Sequence, residues 1–287
     1  MKTSSEINSA AKRIGEERTI DMMARAGFDA WDFSMFDMCK IDWKTKLPIQ
    51  EENPLNGTDY LNFARKLKTI GLDNGIVCNQ SHAPFPVAVP AVRSYLKRAI
   101  ECTAEAGGEI CIIHPDNNKN AEQNAEMYAE LLPFAKSCGV KIATENMFNW
   151  DMEKNESSFA ACATGEDFKK HIDIINDDFF VACLDLGHAE MRGSGDGAVN
   201  MIRALGHRLQ ALHIHDNDHW HDKHQIPFSM NIDFDPIVKT LKEINYQGYF
   251  TLEADTFLRD YNTDNIFDGV LKLKESAKKL ADMYEQL

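Results

Sequence analysis

The sequence lacks the features of membrane and secreted proteins. Its 287 residues contain no hydrophobic run of transmembrane length, and the first segment, Met1 to Glu6, has no apolar signal-peptide core. The seven cysteines are scattered, odd in number and never spaced as Cys-x-x-Cys. Most lie in apolar runs, which is typical of reduced core residues rather than of disulfides. These absences predict a cytoplasmic protein that does not enter a membrane.

The sequence has fewer basic than acidic residues. The 31 Lys and Arg residues face 45 Asp and Glu residues, which gives a net charge of -14 with His neutral. Such a surface repels a polyanion, although a local basic patch or bound cations could offset this. We therefore expect a small-molecule partner and no nucleic acid. The sequence leaves open whether the protein forms a homo-oligomer.

Strands and helices alternate along the chain at roughly 35-residue spacing. Seven apolar, β-branched-rich segments read as strands buried on both faces of a parallel sheet, at residues 29–35, 75–78, 109–113, 140–144, 179–184, 209–214 and 249–252. A weaker first strand is expected somewhere in residues 2–9, and residues 10–26 are predicted to form one amphipathic helix that ends at Gly27. The pattern predicts an α/β protein, a single (β/α)8 TIM barrel domain over residues 1–287. An open doubly wound sheet is the second choice, because no Gly-x-Gly-x-x-Gly turn follows any strand.

A histidine-rich stretch lies in the last third of the chain. Residues 212–224 hold five of the ten histidines, interleaved with Asp and Asn. Imidazole and carboxylate are the usual protein ligands for Zn, Mn, Fe and Co. A solvated polar loop would explain the stretch less well than a metal site.

The ends of the predicted strands carry polar groups. In a (β/α) barrel the active site is built at the C-terminal ends of the strands. Reading only those ends gives His82, His114, Glu145, Asp185 with His188, His213 with His215, and Glu253. A single such residue would more often be a hydrogen-bonded structural group. Several carboxylates buried together are costly unless they share a cation, so the convergence of these groups predicts a metal site.

The strand ends resemble those of the xylose isomerase-like (β/α)-barrel sugar isomerases and epimerases, a superfamily shared with the endonuclease IV group. That family carries Glu at strand five, Asp-x-x-His at strand six, His at strand seven and Glu at strand eight. The matching segments here are Thr144-Glu145-Asn146, Asp185-Leu186-Gly187-His188, His213-Ile214-His215-Asp216 and Thr251-Leu252-Glu253. The resemblance covers about residues 70–285. It implies that Glu145, Asp185, His213 and Glu253 bind one divalent metal ion. His213 fits the family pattern better than His215.

The resemblance further implies a metal-dependent sugar isomerase or epimerase that transfers a proton through a metal-stabilised enediolate. Glu145 and Glu253 would act as the two proton-transferring groups, and His188 and His215 would bind substrate oxygens. The ligand set favours Mn2+, and it is also compatible with Zn2+, Co2+ or Mg2+. Aromatic residues such as Phe36, Trp43, Phe148 and Trp150 could wall the pocket, but burial in the core is the commoner role for such side chains.

An endonuclease IV-like phosphodiesterase with several zinc ions is the main alternative. Proteins of that group hold three zinc ions, and the additional ligands have counterparts here in His82, His114, His188, Asp222 and His224. The net charge and the absence of a dense Lys/Arg set argue against DNA as the substrate, as does the apolar and acidic loop at residues 36–56. A metal-dependent lyase or dehydratase, or a sugar-binding barrel without catalysis, are further alternatives.

Overall fold

The computed structural model describes residues 1–42, 44–49 and 51–287, so Trp43 lies outside the described residues. Ten strands lie in this part of the chain, and eight of them are parallel and form a barrel. In chain order the strands are β1 (Thr3–Ser5), β2 (Ala30–Ser34), β3 (Val77–His82), β4 (Ile110–Ile112), β5 (Lys141–Glu145), β6 (Phe148–Asp151), β7 (Glu156–Phe159), β8 (Phe180–Asp185), β9 (Leu209–His213) and β10 (Phe250–Leu252). β6 and β7 form a separate antiparallel hairpin.

The barrel closes through its first and last strands. Six strands pair in the order β2-β3-β4-β5-β8-β9, and β1 pairs with β10. Two parallel bridges complete the ring: Glu6 with Asp32 joins β1 to β2, and Ile214 with Leu252 joins β9 to β10. The predicted (β/α)8 barrel is therefore confirmed, and the open doubly wound alternative is wrong.

Helices surround the barrel. They are α1 (Asn8–Ile14), α2 (Glu16–Ala26), α3 (Tyr60–Asp73), α4 (Pro90–Arg93), α5 (Leu96–Ala106), α6 (Ala121–Ser137), α7 (Gly165–Ile175), α8 (Leu186–Ala189), α9 (Ala198–Leu205), α10 (Phe234–Glu243) and α11 (Ile266–Glu285). Where the sequence predicted one helix over residues 10–26, the structure has two, which meet at Gly15 with φ 82° and ψ 154°. Among the described residues, no helix combines the length and the apolar character needed to cross a bilayer.

Two apolar layers hold the barrel together. The larger layer lies between strands and helices, and it includes side chains from Ile7 to Tyr284. A smaller cluster fills the barrel interior with Ile112, Ala143, Val181, Cys183 and Ala211. Strand side chains alternate between the two layers, as Ile142 and Ala143 do on β5. All seven cysteines are free and six are buried, in agreement with their predicted core role.

β1 lies inside the predicted window although its residues are polar. Thr3, Ser4 and Ser5 are all buried. The Ser4 hydroxyl donates to Asn79 Oδ1 at 2.6 Å and Thr3 Oγ1 donates to Asp29 Oδ2 at 2.9 Å, whereas Ser5 Oγ has no hydrogen-bond partner among the described residues. A buried strand whose polar side chains find hydrogen-bond partners does not need the apolar residues by which strands are recognised.

Candidate metal centre

A cavity of about 1320 Å³ opens at the C-terminal ends of the barrel strands. His82 ends β3, Glu145 ends β5, and His114 and Glu253 follow β4 and β10 within two residues. All four side chains line the cavity. The strand ends that the sequence singled out are thus gathered at one mouth of the barrel, where (β/α)8 enzymes place their active sites.

A central group consists of Glu145, Asp185, His213 and Glu253. One potential ligand atom from each lies within 4.8 Å of the others. His213 Nδ1 is 3.1 Å from Glu145 Oε1 and 3.4 Å from Glu253 Oε2. The four residues are at least nine-tenths buried. The four ligands implied by the family resemblance are therefore close enough to share a cation.

A second group extends the first through Glu145. Its other oxygen, Oε2, lies 3.6 Å from His82 Nε2 and 3.3 Å from His114 Nε2. The two imidazole nitrogens are 2.8 Å apart. Glu145 could therefore serve two neighbouring cations, one on each oxygen.

A third group of possible ligands contains His188, His215, Asp222 and His224. Asp222 Oδ2 is 3.0 Å from His224 Nε2 and 3.5 Å from His188 Nε2, and Asp222 Oδ1 is 3.4 Å from His215 Nε2. Asp185 Oδ1 reaches His215 Nε2 at 3.1 Å. Asp185 therefore links this group to the central one, as Glu145 links the second.

The resemblance favoured His213 slightly over His215 as a ligand, and the structure places the two side chains in different groups. His213 lies in the central group. His215 points into the third group, is fully buried, and does not line the cavity. Its ring occupies the space beside Gly187, where any Cβ would overlap it. Contact between His215 and a substrate is therefore less well supported than contact with His188, which does line the cavity.

Burial and neighbouring charges shift the pKa values of histidines in the second and third groups. Burial and the adjacent His82 lower the pKa of His114 to about 4, so its imidazole is neutral and can act as a ligand at neutral pH. Burial by itself would lower the pKa of His188, but the charges of Asp185 and Asp222 outweigh it and raise that pKa to about 10.

Two of the three carboxyl groups in the central group have pKa values shifted in opposite directions. Burial would raise the pKa of Glu145, yet His213, His114 and His82 hold it well below its ordinary value. Burial raises the pKa of Glu253 well above its ordinary value, and the attraction of His213 and His224 does not cancel this. The same surroundings thus favour the charged form of one carboxyl and the neutral form of the other.

Several buried polar atoms at the site have no hydrogen-bond partner among the described residues. They are Glu145 Oε2, Asp185 Oδ2, His213 Nε2, His215 Nε2 and Asp222 Oδ1. Unsatisfied buried polar atoms are costly and call for an explanation. Cations on the oxygens and nitrogens that face one another would satisfy most of them, so the donor set fits divalent metal ions.

Two residues next to the ligands were not predicted. Asn146 and Asp185 exchange reciprocal hydrogen bonds, in which Asp185 N donates to Asn146 Oδ1 at 2.8 Å and Asn146 Nδ2 donates to Asp185 O at 2.9 Å. Asp32, on β2, lies 3.4 Å from His213 Nε2. The position of Asn146 directly after Glu145 was the available signal for the first. For Asp32 the signal was a carboxylate between the large apolar residues Trp31 and Phe33 of a predicted strand.

The cavity wall is partly aromatic and partly cationic. Phe36 and Phe148 line it, whereas Trp31 and Phe33 are fully buried in the core, and Trp150 stacks on His221 outside the cavity with ring centroids 5.7 Å apart. Five cationic side chains also line the cavity: Lys12, Lys40, Lys46, Lys223 and Arg259. These residues are scattered along the sequence, which therefore gave no sign of a basic cluster.

The barrel and its ligand-rich mouth define the class of protein, and comparison with known sequences defines the family. The family described as xylose isomerase-like TIM barrel matches residues 20–283, so the chain belongs to that family. An uncharacterised protein of Methanocaldococcus jannaschii is 26% identical over 223 residues, which cover 71% of this chain and 70% of that protein.

Solved structures of low sequence identity share the fold. A D-tagatose 3-epimerase-like protein superposes with a TM-score of 0.73 at 21% identity, covering 100% of this chain and 99% of the other. The IolI protein, solved with a bound zinc atom, superposes with a TM-score of 0.70 at 17% identity and the same coverage. At these identities the likeness establishes the fold alone.

Proposed function

We propose that the protein is a divalent-metal-dependent isomerase or epimerase acting on a sugar or a sugar derivative. The observation that carries the proposal is the approach of Glu145 and Glu253 to one atom, His213 Nδ1, at 3.1 and 3.4 Å. They arrive from β5 and β10, which β8 and β9 separate. Moving a proton next to a carbonyl needs a group that removes it and a group that returns it.

The names of the structural neighbours support this choice. One neighbour is described as D-tagatose 3-epimerase-like, and IolI is described with a bound zinc atom. Three carboxylates and one imidazole favour Mn2+ as the ion, with Zn2+, Co2+ or Mg2+ as alternatives. The strand-end cavity has room for a monosaccharide beside the central group.

The proposed mechanism assigns proton transfer to the two glutamates. In an epimerisation, one carboxylate would take the proton from one face of the carbon and the other would deliver a proton to the opposite face. A divalent cation held by Glu145, Asp185, His213 and Glu253 would supply the Lewis acidity that stabilises negative charge on the substrate oxygens. His188 would hydrogen-bond a substrate oxygen, and Phe36 and Phe148 would shield the reacting carbon from water.

The test is hydrogen exchange into a sugar. The metal-reconstituted protein is incubated in deuterated water with a panel of ketoses, and NMR follows epimer formation and deuterium uptake beside the carbonyl. Glu145→Gln and Glu253→Gln should each lower turnover by about 100-fold to 10,000-fold, the usual value of a proton-transferring group. Glu153→Gln, at an exposed position of the β6–β7 hairpin, should retain turnover. Full turnover in both active-site variants would refute the two-carboxylate mechanism.

A multinuclear phosphodiesterase is the second candidate, and one observation favours it. The three ligand groups adjoin through Glu145 and Asp185, which leaves room for more than one cation. Near three zinc ions per chain by elemental analysis, together with cleavage of an abasic-site duplex, would place this function above the isomerase.

A further inference from the structure

His213 has carboxylate oxygens near both of its ring nitrogens. Nδ1 faces the central group, where Glu145 and Glu253 lie at 3.1 and 3.4 Å. Nε2 faces the opposite way, towards Asp32 Oδ2 at 3.4 Å. Asp32 and His213 are both fully buried. Each also has a buried polar atom, Oδ1 of Asp32 and Nε2 of His213, without a hydrogen-bond partner among the described residues. Asp32 Oδ2 is the carboxylate oxygen near His213 Nε2, so a small rotation of the ring would give this nitrogen a hydrogen-bond acceptor.

Asp32 is held by a network of barrel side chains. Gln80 Nε2, on β3, donates to Asp32 Oδ2 at 2.8 Å. Gln80 Oε1 in turn accepts from Thr251 Oγ1 at 3.3 Å and from Asn79 Nδ2 at 3.2 Å. These side chains belong to β2, β3 and β10, whose backbones are fixed by the barrel. The orientation of the carboxylate is therefore set by rigid elements rather than by a loop.

We propose that Asp32 is a positioning residue that accepts the Nε2–H of His213 and so directs the Nδ1 lone pair at the cation site. This inference rests on the proposed function, because it assigns Nδ1 of His213 to the cation. A neutral imidazole has one N–H, and a hydrogen bond to that N–H fixes the tautomer and the ring orientation. Carboxylates behind metal-bound histidines have this effect, and removing them typically costs 10-fold to 100-fold in metal affinity.

A purely structural role is the competing explanation, since Asp32 also completes the polar network with Gln80. The two explanations differ in what they predict for His213. A positioning role requires the Nε2 proton to be hydrogen-bonded and shielded, and it requires cation affinity to depend on the carboxylate. A structural role affects the free energy of unfolding and leaves both of these properties unchanged.

The experiment uses the full-length protein with Asp32→Asn, which preserves the size of the side chain, and Asp32→Ala. Glu6→Gln is the matched control, because Glu6 is another buried carboxyl at a barrel strand end and contacts Ser9 rather than His213. Zn2+ affinity is measured by competition with a chelating dye. Nitrogen-15 and proton NMR report the Nε2–H resonance of His213. Circular dichroism confirms that each variant is folded.

We expect Asp32→Ala to bind Zn2+ about 10-fold to 100-fold more weakly and to lose the protected, downfield Nε2–H resonance. Asp32→Asn keeps an acceptor oxygen without its charge, so it should show the same changes to a smaller extent. Glu6→Gln should keep the resonance and bind within about 2-fold of the wild type. Wild-type affinity and an unchanged resonance in Asp32→Asn and Asp32→Ala would overturn the proposal. The wild type could also bind no cation while showing a protected Nε2–H that is lost in Asp32→Ala. That result would support the hydrogen bond between Asp32 and His213 and contradict the metal-dependent function.

Discussion

Glu6 is a buried carboxyl group outside the three ligand groups. It follows β1, is 2% exposed, and accepts hydrogen bonds from the backbone N–H and the hydroxyl of Ser9. Burial raises its pKa from an ordinary value of 4.5 to about 7, against the effect of Ser9 and with help from Asp255 and Asp32. The folded protein therefore holds a proton at Glu6 over a pH range in which the unfolded chain has released it.

This proton makes stability fall as the pH rises. Between pH 4.5 and about 7 the folded state binds more protons than the unfolded state, so the free energy of unfolding decreases with increasing pH. Glu6→Gln removes the effect. Relative to the wild type, the variant should gain up to about 3 kcal/mol between about pH 4 and pH 8. Urea unfolding at both pH values measures this difference. A stability difference that is independent of pH would show that Glu6 does not hold the proton.

At the scale of single residues, the sequence could predict which groups meet but not how they are supported. Glu145, Asp185 and Glu253 were found because strand ends converge in any barrel, so their positions along the chain were sufficient. Asp32 was missed because its contact with His213 depends on the register between non-adjacent strands. His213 and His215 belong to different groups, and the ring of His215 lies directly against Gly187. The spacing of residues along the sequence does not predict such a contact.

At the scale of elements, α1 and α2 show where helical periodicity misleads. Residues 10–26 have a continuous amphipathic pattern, but Gly15 adopts φ 82° and ψ 154° and divides the helix. A β-carbon at position 15 would meet nothing within 4 Å, so glycine is needed there for its backbone conformation and not for lack of space. That region of the φ/ψ map is essentially restricted to glycine.

Gly15→Ala should therefore lower the free energy of unfolding by about 1–3 kcal/mol through backbone strain alone. Gly57→Ala is the matched control, because position 57 has no left-handed φ and its Cβ would have only ordinary contacts at 3.8 and 3.9 Å. That variant should stay within about 0.5 kcal/mol of the wild type. Urea denaturation measures both. Equal stability of Gly15→Ala and the wild type would mean that the chain relaxes at this junction without cost.

The sequence indicated β1 only weakly and did not indicate the β6–β7 hairpin, for different physical reasons. β1 consists of buried Thr and Ser residues, of which Thr3 and Ser4 hydrogen-bond to Asp29 and Asn79, so it lacks the apolar residues of the other strands. The β6–β7 hairpin lies outside the barrel, and most of its residues are partly exposed. Neither element has a continuous apolar face, and such a face is the main signal by which strands are predicted.

At the scale of the whole molecule, the ligand groups draw on most of the barrel wall. Their members come from the ends of β3, β4, β5, β8, β9 and β10 and from the loop that follows β9. The first strand also pairs with the last, and one apolar layer runs from Ile7 to Tyr284. We propose that residues 1–287 fold as one cooperative unit, as the sequence predicts for a single domain. A cation bound at the mouth would then stabilise the entire barrel.

Removing the metal should therefore lower the unfolding temperature of the whole chain and not of one segment. A cation present at about 1,000 times its Kd adds about 4 kcal/mol to the free energy of unfolding, because it binds only the folded protein. Thermal unfolding with and without a chelator should shift by several degrees, and far-ultraviolet circular dichroism and tryptophan fluorescence should shift together. Asp185→Asn should reduce the shift, because it weakens a ligand of the central group. A chelator effect seen by one probe alone would indicate that the mouth unfolds separately from the barrel, and the single-unit proposal would then be wrong.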